Sequence, residues 1–359
     1  MPIPAKPELA NLAEAPHGSL DYVELERRGI DPAEIIDFSS NVNPFGPSPK
    51  VTEALRQVDV GRYPDRDSLL LRRAIAESLG TSIDRLIAGN GSTELLHLIA
   101  LAWLRPGDRA LIVGPTYGEY ARVAKLFGAE TIAIDAAAKF GFVPPVAEIS
   151  RRLRDLHPRL CFICNPNNPT GQVLDPSQIH EWATESPETL FVIDEAYVDF
   201  IPELMTAGIE LRENLIVVRS LTKAHGLAGL RLGYAIASPA VIGNVNRVRS
   251  PWSVNSLAQA AGIIALTDRE CVQSSVAQLI ASKSQLVPRL ASLGLEVVPS
   301  ATPYFLLPVG DAARVREGLL NQNLLVRDCT SFGLPRHIRI MPRTQPDNDL
   351  LVQALQTCK

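Results

Sequence analysis

Between about residues 50 and 250, short and almost uninterrupted apolar segments alternate with segments of helical period. The apolar segments fall at 110–113, 131–134, 160–164, 190–193, 215–218 and 234–237. A strand that is apolar on both faces is buried on both, as happens when helices cover the two sides of a mostly parallel sheet. The alternation therefore predicts a doubly wound α/β domain. After about residue 251 the pattern changes. A long helical region over 254–294 is followed by candidate strands at 295–298, 304–307, 324–327 and 338–341, and by a helix near 346–357. That reads as a smaller α+β domain. The expected organisation is an N-terminal arm (1–45), a large domain (46–250) and a small C-terminal domain (251–359). Within the arm, Asp31-Pro-Ala-Glu34 has the form of a short capped helix start.

A chain of 359 residues with 46% hydrophobic and 21% charged residues can bury a core for two such domains. Its net charge of −4 carries no basic excess, which argues against nucleic acid or an anionic membrane as partner. The longest apolar run, 98–104, is too short to span a bilayer, and residues 1–7 lack the apolar core of a signal peptide. Five cysteines without a secretory signal read as reduced thiols, so the cytoplasm is the expected compartment. Cys161-Phe-Ile-Cys164 has the spacing of a metal or redox pair. In a strand, however, those two side chains point to opposite faces, so core packing is the reading.

The chemistry concentrates around Lys223. Ser220 and Thr222 precede it in Ser220-Leu-Thr-Lys223, and Arg231 follows eight residues later. Upstream stand Asp194-Glu-Ala-Tyr197 and Asn165-Pro-Asn-Asn168-Pro-Thr-Gly171. An amine, an acid, a phenol, an amide and a cluster of phosphate-binding groups are the parts needed to hold pyridoxal 5'-phosphate. The lysine must shed its proton near neutrality, which desolvation or nearby cations allow. A carboxylate keeps the pyridine nitrogen protonated, and Asp194 falls at the C-terminal end of an apolar strand, where open α/β sheets place ligands. Tyr197 and Asn168 are in reach of the ring phenolate. Gly89-Asn-Gly-Ser92-Thr93-Glu94 opens a helix, offering backbone amides, two hydroxyls and a positive helix end to the phosphate. Ser220, Thr222 and Arg231 complete that set, and Tyr117 is placed to stack on the ring.

In these motifs the chain resembles the fold-type I aminotransferase superfamily, from about residue 17 to the end. The resemblance implies a pyridoxal phosphate enzyme with a large doubly wound domain and a smaller α+β domain. It implies that Lys223 carries the cofactor, that Asp194 pairs with the pyridine nitrogen, and that Asn168 and Tyr197 contact the phenolate. Ser92, Thr93, Ser220, Thr222 and Arg231 resemble the phosphate ligands. Tyr63, in Arg62-Tyr-Pro-Asp65, is similar to the tyrosine that reaches a phosphate in the neighbouring subunit, implying a homodimer. Arg339, in His337-Ile-Arg-Ile340, matches the arginine that binds a substrate anion.

Two subfamilies compete, threonine-phosphate decarboxylase and histidinol-phosphate aminotransferase, and both take a small phosphorylated amino acid or amino alcohol. Arg327, with Arg339, would grip that phosphate. The segments Asp37-Phe-Ser-Ser-Asn-Val-Asn43-Pro44, His17-Gly18, Arg219-Ser-Leu-Thr-Lys223 and Ser250-Pro-Trp-Ser-Val-Asn255 lean towards the decarboxylase, with Asn43 and His17 as further substrate contacts. Ala224-His-Gly-Leu-Ala-Gly-Leu230 and Ser19 lean towards the aminotransferase. The expectation from sequence is decarboxylation of L-threonine O-3-phosphate for cobalamin synthesis, with histidinol-phosphate transamination as the alternative. His225, beside the lysine, reads as a packed histidine more readily than as a catalytic one.

Overall fold

The computed structural model describes residues 18–204, 206 and 212–358, together with Ile3, Lys6, Leu9 and Leu12. Among the described residues twelve strands occur in chain order. They are β1 (Ile36–Asp37), β2 (Leu86–Gly89), β3 (Arg109–Gly114), β4 (Glu130–Asp135), β5 (Leu160–Cys164), β6 (Leu190–Asp194), β7 (Leu215–Ser220), β8 (Gly233–Ala237), β9 (Phe305–Pro308), β10 (Leu324–Leu325), β11 (Arg327–Asp328) and β12 (His337–Ile340).

Seven of these form one sheet in the order β2-β8-β7-β6-β5-β3-β4. The pairs β7–β6, β6–β5, β5–β3 and β3–β4 are parallel, and β8 runs antiparallel between β2 and β7. In these strands other than the edge strand β4, alternate residues enter different cores. Phe162, Val192 and Ile216 pack with Leu95, Ile99 and Val123 on one face. Cys161, Phe191 and Val217 pack with Ile75, Ile149 and Trp182 on the other. Those strands are thus apolar twice over, which is why they read as continuous apolar runs, whereas β4 at the sheet edge turns Ile132 and Ile134 into one core and leaves Ala133 exposed. Cys161 and Cys164 fall in different cores, and burial raises both thiols, Cys164 to about 12. No group of side chains suited to a metal ion occurs among the described residues, and none of their helices is long and apolar enough to cross a membrane.

A three-stranded antiparallel sheet, β11-β12-β9, packs Phe305, Leu307, Ile338 and Ile340 against helices Arg269–Ser292, Ala312–Leu320 and Gln345–Thr357. From residue 18 to 45 the chain carries more regular structure than its turn-rich sequence suggested. Helix Tyr22–Arg28 is capped by the Asp21 side chain, which accepts from Val23 N and Glu24 N, and it ends at Gly29 in the left-handed region (φ 66°). Strand β1 then pairs in parallel with β10, and Phe38 is wholly buried in the same core as Phe305. Two expected strands differ. Residues 295–298 form no strand, because Val298 makes a single bond to β9, from its N to Leu306 O (2.9 Å). The expected strand at 324–327 divides at Val326, since β10 pairs with β1 whereas β11 pairs with β12.

Candidate active site

Parallel strands end on the same side, so register decides which loops become neighbours. Cys164 stands opposite Asp194, and Asp194 opposite Val218, which places the loops after β5, β6 and β7 side by side. At that edge lies a cavity of about 870 Å³. It is lined by Ser92, Thr93, Tyr117, Asn168, Asp194, Tyr197, Thr222, Lys223, Arg231, Arg327 and Arg339, all singled out above.

Asp194 is 4% exposed. One carboxylate oxygen accepts from the Tyr120 hydroxyl (2.8 Å) and the other from Ala196 N (3.0 Å). Burial nonetheless raises its pKa above the usual carboxylate value, against the pull of Tyr120, Ala196 and the charge on Lys223. Lys223 has the opposite problem. Desolvation, then the positive charges of Arg339 and Arg231, lower its pKa from 10.5 to about 8. Its Nζ lies 6.0 Å from the centroid of the Tyr197 ring. Burial also pushes the Tyr117 phenol to about 12 and raises that of Tyr197, so both are neutral hydrogen-bonding groups at physiological pH.

An anion cradle forms where the helix Gly91–Trp103 begins. Ser92 and Thr93 lie in its first turn, with Thr93 Oγ1 3.4 Å from the Tyr117 hydroxyl. Arg231 reaches over Gly91 so closely that a Cβ there would stand 2.8 Å from Nη2, and Gly91 also has φ +77°. The positive φ favours glycine here, and a side chain would in addition push the Arg231 guanidinium from its place over the helix start. Ser220 Oγ and Thr222 Oγ1 pair with each other at 2.7 Å beside this point. Hydroxyls, helix N–H groups and a guanidinium are a donor set for phosphate, while the buried Asp194 carboxylate suits a protonated ring nitrogen. These residues fit pyridoxal 5'-phosphate.

At the other wall, Arg339 and Arg327 face each other across the β11–β12 ladder. Arg339 is 4% exposed and donates to Asn168 Oδ1 and to Ser39 O. Arg327 donates to Ser331 Oγ (2.7 Å), with its guanidinium carbon 5.3 Å from the centroid of Phe332. Burial and the charge of Arg339 lower its pKa.

The remaining predicted positions lie elsewhere. Ser220 is buried behind Thr222. Tyr63 is 81% exposed and stacks on Trp252 at 4.8 Å, and it does not line the cavity. His17 lies outside the described residues. Asn43 does not line the cavity, because its side-chain amide donates to Ala224 O (2.9 Å) and Ser275 Oγ (2.7 Å) and its oxygen accepts from Phe45 N (3.1 Å). Asn41 lines it instead. Its side-chain oxygen and nitrogen are both buried without a partner among the described residues, as expected of groups awaiting a ligand. Sequence reasoning also missed Tyr120. Its spacing from Tyr117, three residues along a helix start, was visible, but its partner lies 74 residues away.

Comparison with known proteins agrees with this geometry. The model of the family "Aminotransferase class I and II" matches residues 33–355. A curated histidinol-phosphate aminotransferase of Symbiobacterium thermophilum is 37% identical over 341 residues, covering 93% of each chain. The crystal structure of histidinol-phosphate aminotransferase from Sinorhizobium meliloti in complex with pyridoxal-5'-phosphate is similar with a TM-score of 0.89 at 25% identity, over 99% of this chain and 97% of that one. That of L-threonine-O-3-phosphate decarboxylase from Porphyromonas gingivalis gives 0.79 at 30% identity, over 89% and 98%. The expectation of threonine-phosphate decarboxylation is overturned by the curated relatives. Those matched at 33–37% identity over 91–93% of the chain are histidinol-phosphate aminotransferases. The segments that suggested the decarboxylase, such as 37–44 and 219–223, are short stretches set against similarity along the whole chain. The chain belongs to the class I and II aminotransferase family, and it is a pyridoxal 5'-phosphate-dependent enzyme of fold type I.

Proposed function

We propose that the protein is an aminotransferase that moves the amino group of a phosphorylated amino alcohol, histidinol phosphate, to a 2-oxoacid such as 2-oxoglutarate. The observation that carries this reading is the pair Arg327 and Arg339, which face one another across a β ladder on the wall of the cavity that holds Lys223. The names of the curated relatives support it.

Pyridoxal 5'-phosphate, when bound, supplies an electron-accepting ring and a carbonyl that carries an amino group between substrates. Lys223 holds the cofactor and moves the proton at the substrate's α-carbon; a pKa of about 8 leaves a useful fraction of free base near neutrality. Asp194 holds a proton at the ring nitrogen, with its carboxylate oriented by Tyr120 and Ala196. Tyr197 and Asn168 orient the phenolate, and Tyr117 stacks. Ser92, Thr93, Thr222 and Arg231 take the cofactor phosphate, with Ser220 orienting the Thr222 hydroxyl from behind and Tyr63 of a second copy completing that site in a homodimer. Arg327, Arg339 and Asn41 receive the substrate's own phosphate. Binding energy there orients the bonds at the α-carbon, a centre remote from the grip.

Arg327→Ala tests the grip. It is expected to lower kcat/KM for histidinol phosphate by about 100-fold, while histidinol itself is affected only a few-fold, because a charge-assisted bidentate contact is worth roughly 2–3 kcal/mol. The visible absorbance of the bound cofactor should be unchanged. Equal losses for the two substrates would remove Arg327 from the phosphate site.

A further inference from the structure

The backbone ladder between β6 and β7 runs to Asp194 opposite Val218, with one more bond from Glu195 N to Val218 O (2.8 Å). Beyond that point side chains span the two chain segments. Arg219 Nε donates to Glu195 Oε2 at 3.0 Å, and the pair is 12% and 1% exposed. Further out, His225 Nε2 stands 3.3 Å from Asp199 Oδ2, with the histidine side chain 10% exposed. Asp199 sits in the 3-10 turn Val198–Phe200, two residues after Tyr197, and His225 comes two residues after Lys223. The two pairs therefore bracket Tyr197 and Lys223, one before them in sequence and one after.

We propose that His225 is a positioning residue for Lys223: its bond to Asp199 fixes the loop after β7 against the turn after β6, and so sets where the lysine amine stands relative to Asp194 and Tyr197. His225 does not line the cavity that holds Lys223; it faces a separate one of about 290 Å³ and acts through the loop. The charged and titratable groups lining that second cavity from other segments are Asp199, Arg219, Tyr234 and Arg269. Arg219 is committed to Glu195 and Thr206, and Arg269 donates to Ser78 O. That leaves Asp199 as the partner that orients the imidazole, whose Nδ1 has none among the described residues. The loop's carbonyls are tied as well, Lys223 O accepting from Asn43 N (3.0 Å) and Gly226 N (3.1 Å) and Ala224 O from the Asn43 side-chain amide (2.9 Å), but these bonds do not reach the turn after β6. The His225–Asp199 contact is thus a polar side-chain tie between the stretch past the lysine and the turn after β6, alongside the apolar packing of Ala224 in the core that holds Tyr197 and Phe200.

The inference rests on the reading of Lys223 as the residue that holds the cofactor, and its test separates the two. The holoenzyme is compared with His225→Gln, His225→Leu and Lys223→Ala. Glutamine keeps an N–H donor at about the reach of imidazole Nε2, whereas leucine keeps volume without a donor. His225→Leu is expected to lower kcat by about tenfold with little change in KM, since small misplacements of a reacting group are costly. It should also shift the pH at which the bound cofactor's visible absorbance titrates, while the apo-protein Tm moves by less than about 4 °C. His225→Gln should bring kcat and the titration back to wild type. A leucine variant that turns over and titrates like wild type overturns the proposal. So do glutamine and leucine variants impaired alike, which would mean packing alone. If Lys223→Ala still holds its cofactor covalently, the underlying reading fails and the proposal falls with it.

Discussion

Lys223→Ala is expected to leave a folded protein that binds pyridoxal 5'-phosphate without a covalent link and turns over on the order of 10⁴-fold more slowly. The variant removes the amine that holds the cofactor and the base at the α-carbon together, so the losses compound. Misfolding is not the expected cause, and the pH dependence of apo-protein stability shows why. The lysine's folded pKa of about 8 lies below its ordinary 10.5, so the unfolded chain binds that proton more tightly. Wild-type apo-protein therefore gains stability as pH rises from about 8 towards 10.5 and carries the full penalty below 8. The alanine variant lacks this rise and should be at least as stable as wild type at pH 7. Visible absorbance, turnover and Tm against pH read the three effects separately. A variant that keeps the covalently held absorbance and appreciable turnover would place the chemistry on another residue.

Asp194→Asn is expected to lower kcat by about 10²–10³-fold while stabilising the apo-protein. Asparagine preserves shape, and its amide can bond Tyr120, but it carries no negative charge to hold a proton on the ring nitrogen. Loss of one preorganised electrostatic partner has an effect of that order. The stability change has the opposite sign for a physical reason. Burial lifts the aspartate's folded pKa above the usual 3.8, so its contribution is most favourable at low pH and is lost as pH rises through the folded value. Asparagine removes the cost of desolvating that carboxylate, so the apo-protein of the variant should melt above wild type at neutral pH. Reduced activity with a lower apo-protein Tm would instead mark Asp194 as a structural residue.

Much of this was legible in the chain because two regularities are local. The six apolar segments from 110 to 237 are strands, and all but β4 are buried on both faces, which announces itself by composition. The donor motifs converge because they follow β3, β5, β6 and β7, which are parallel, and β2, which runs in the same direction although β8 lies antiparallel between it and β7, so all deliver their following loops to one edge. What escaped was long-range or short. Strand β2 has only four residues and was passed over between a helix and a glycine turn. The pairing of β1 with β10 joins residues 36 and 324, and nothing in a local window points to it. Asn41 and Asn43 have the same side chain two positions apart. Which one faced the cavity depended on the loop's turn around Ala224 O and Ser275 Oγ. Tyr120 became visible only once its helix was laid against β3 and β4, from where its hydroxyl reaches Asp194 at the end of β6. Decarboxylation was misread because short motif likenesses in the arm and around the lysine were weighed above likeness along the whole chain. The choice between the two reactions turns on which bond at the α-carbon stands perpendicular to the ring, a torsion that residue types do not encode.

The measurement that tests the central claim most directly is turnover of the purified holoenzyme on L-histidinol phosphate with 2-oxoglutarate, following glutamate and carbon dioxide together. The account predicts glutamate formed in step with consumption of the amine, dependent on the oxoacid and without carbon dioxide. Carbon dioxide released from L-threonine O-3-phosphate without any oxoacid, with no glutamate from histidinol phosphate, would contradict it.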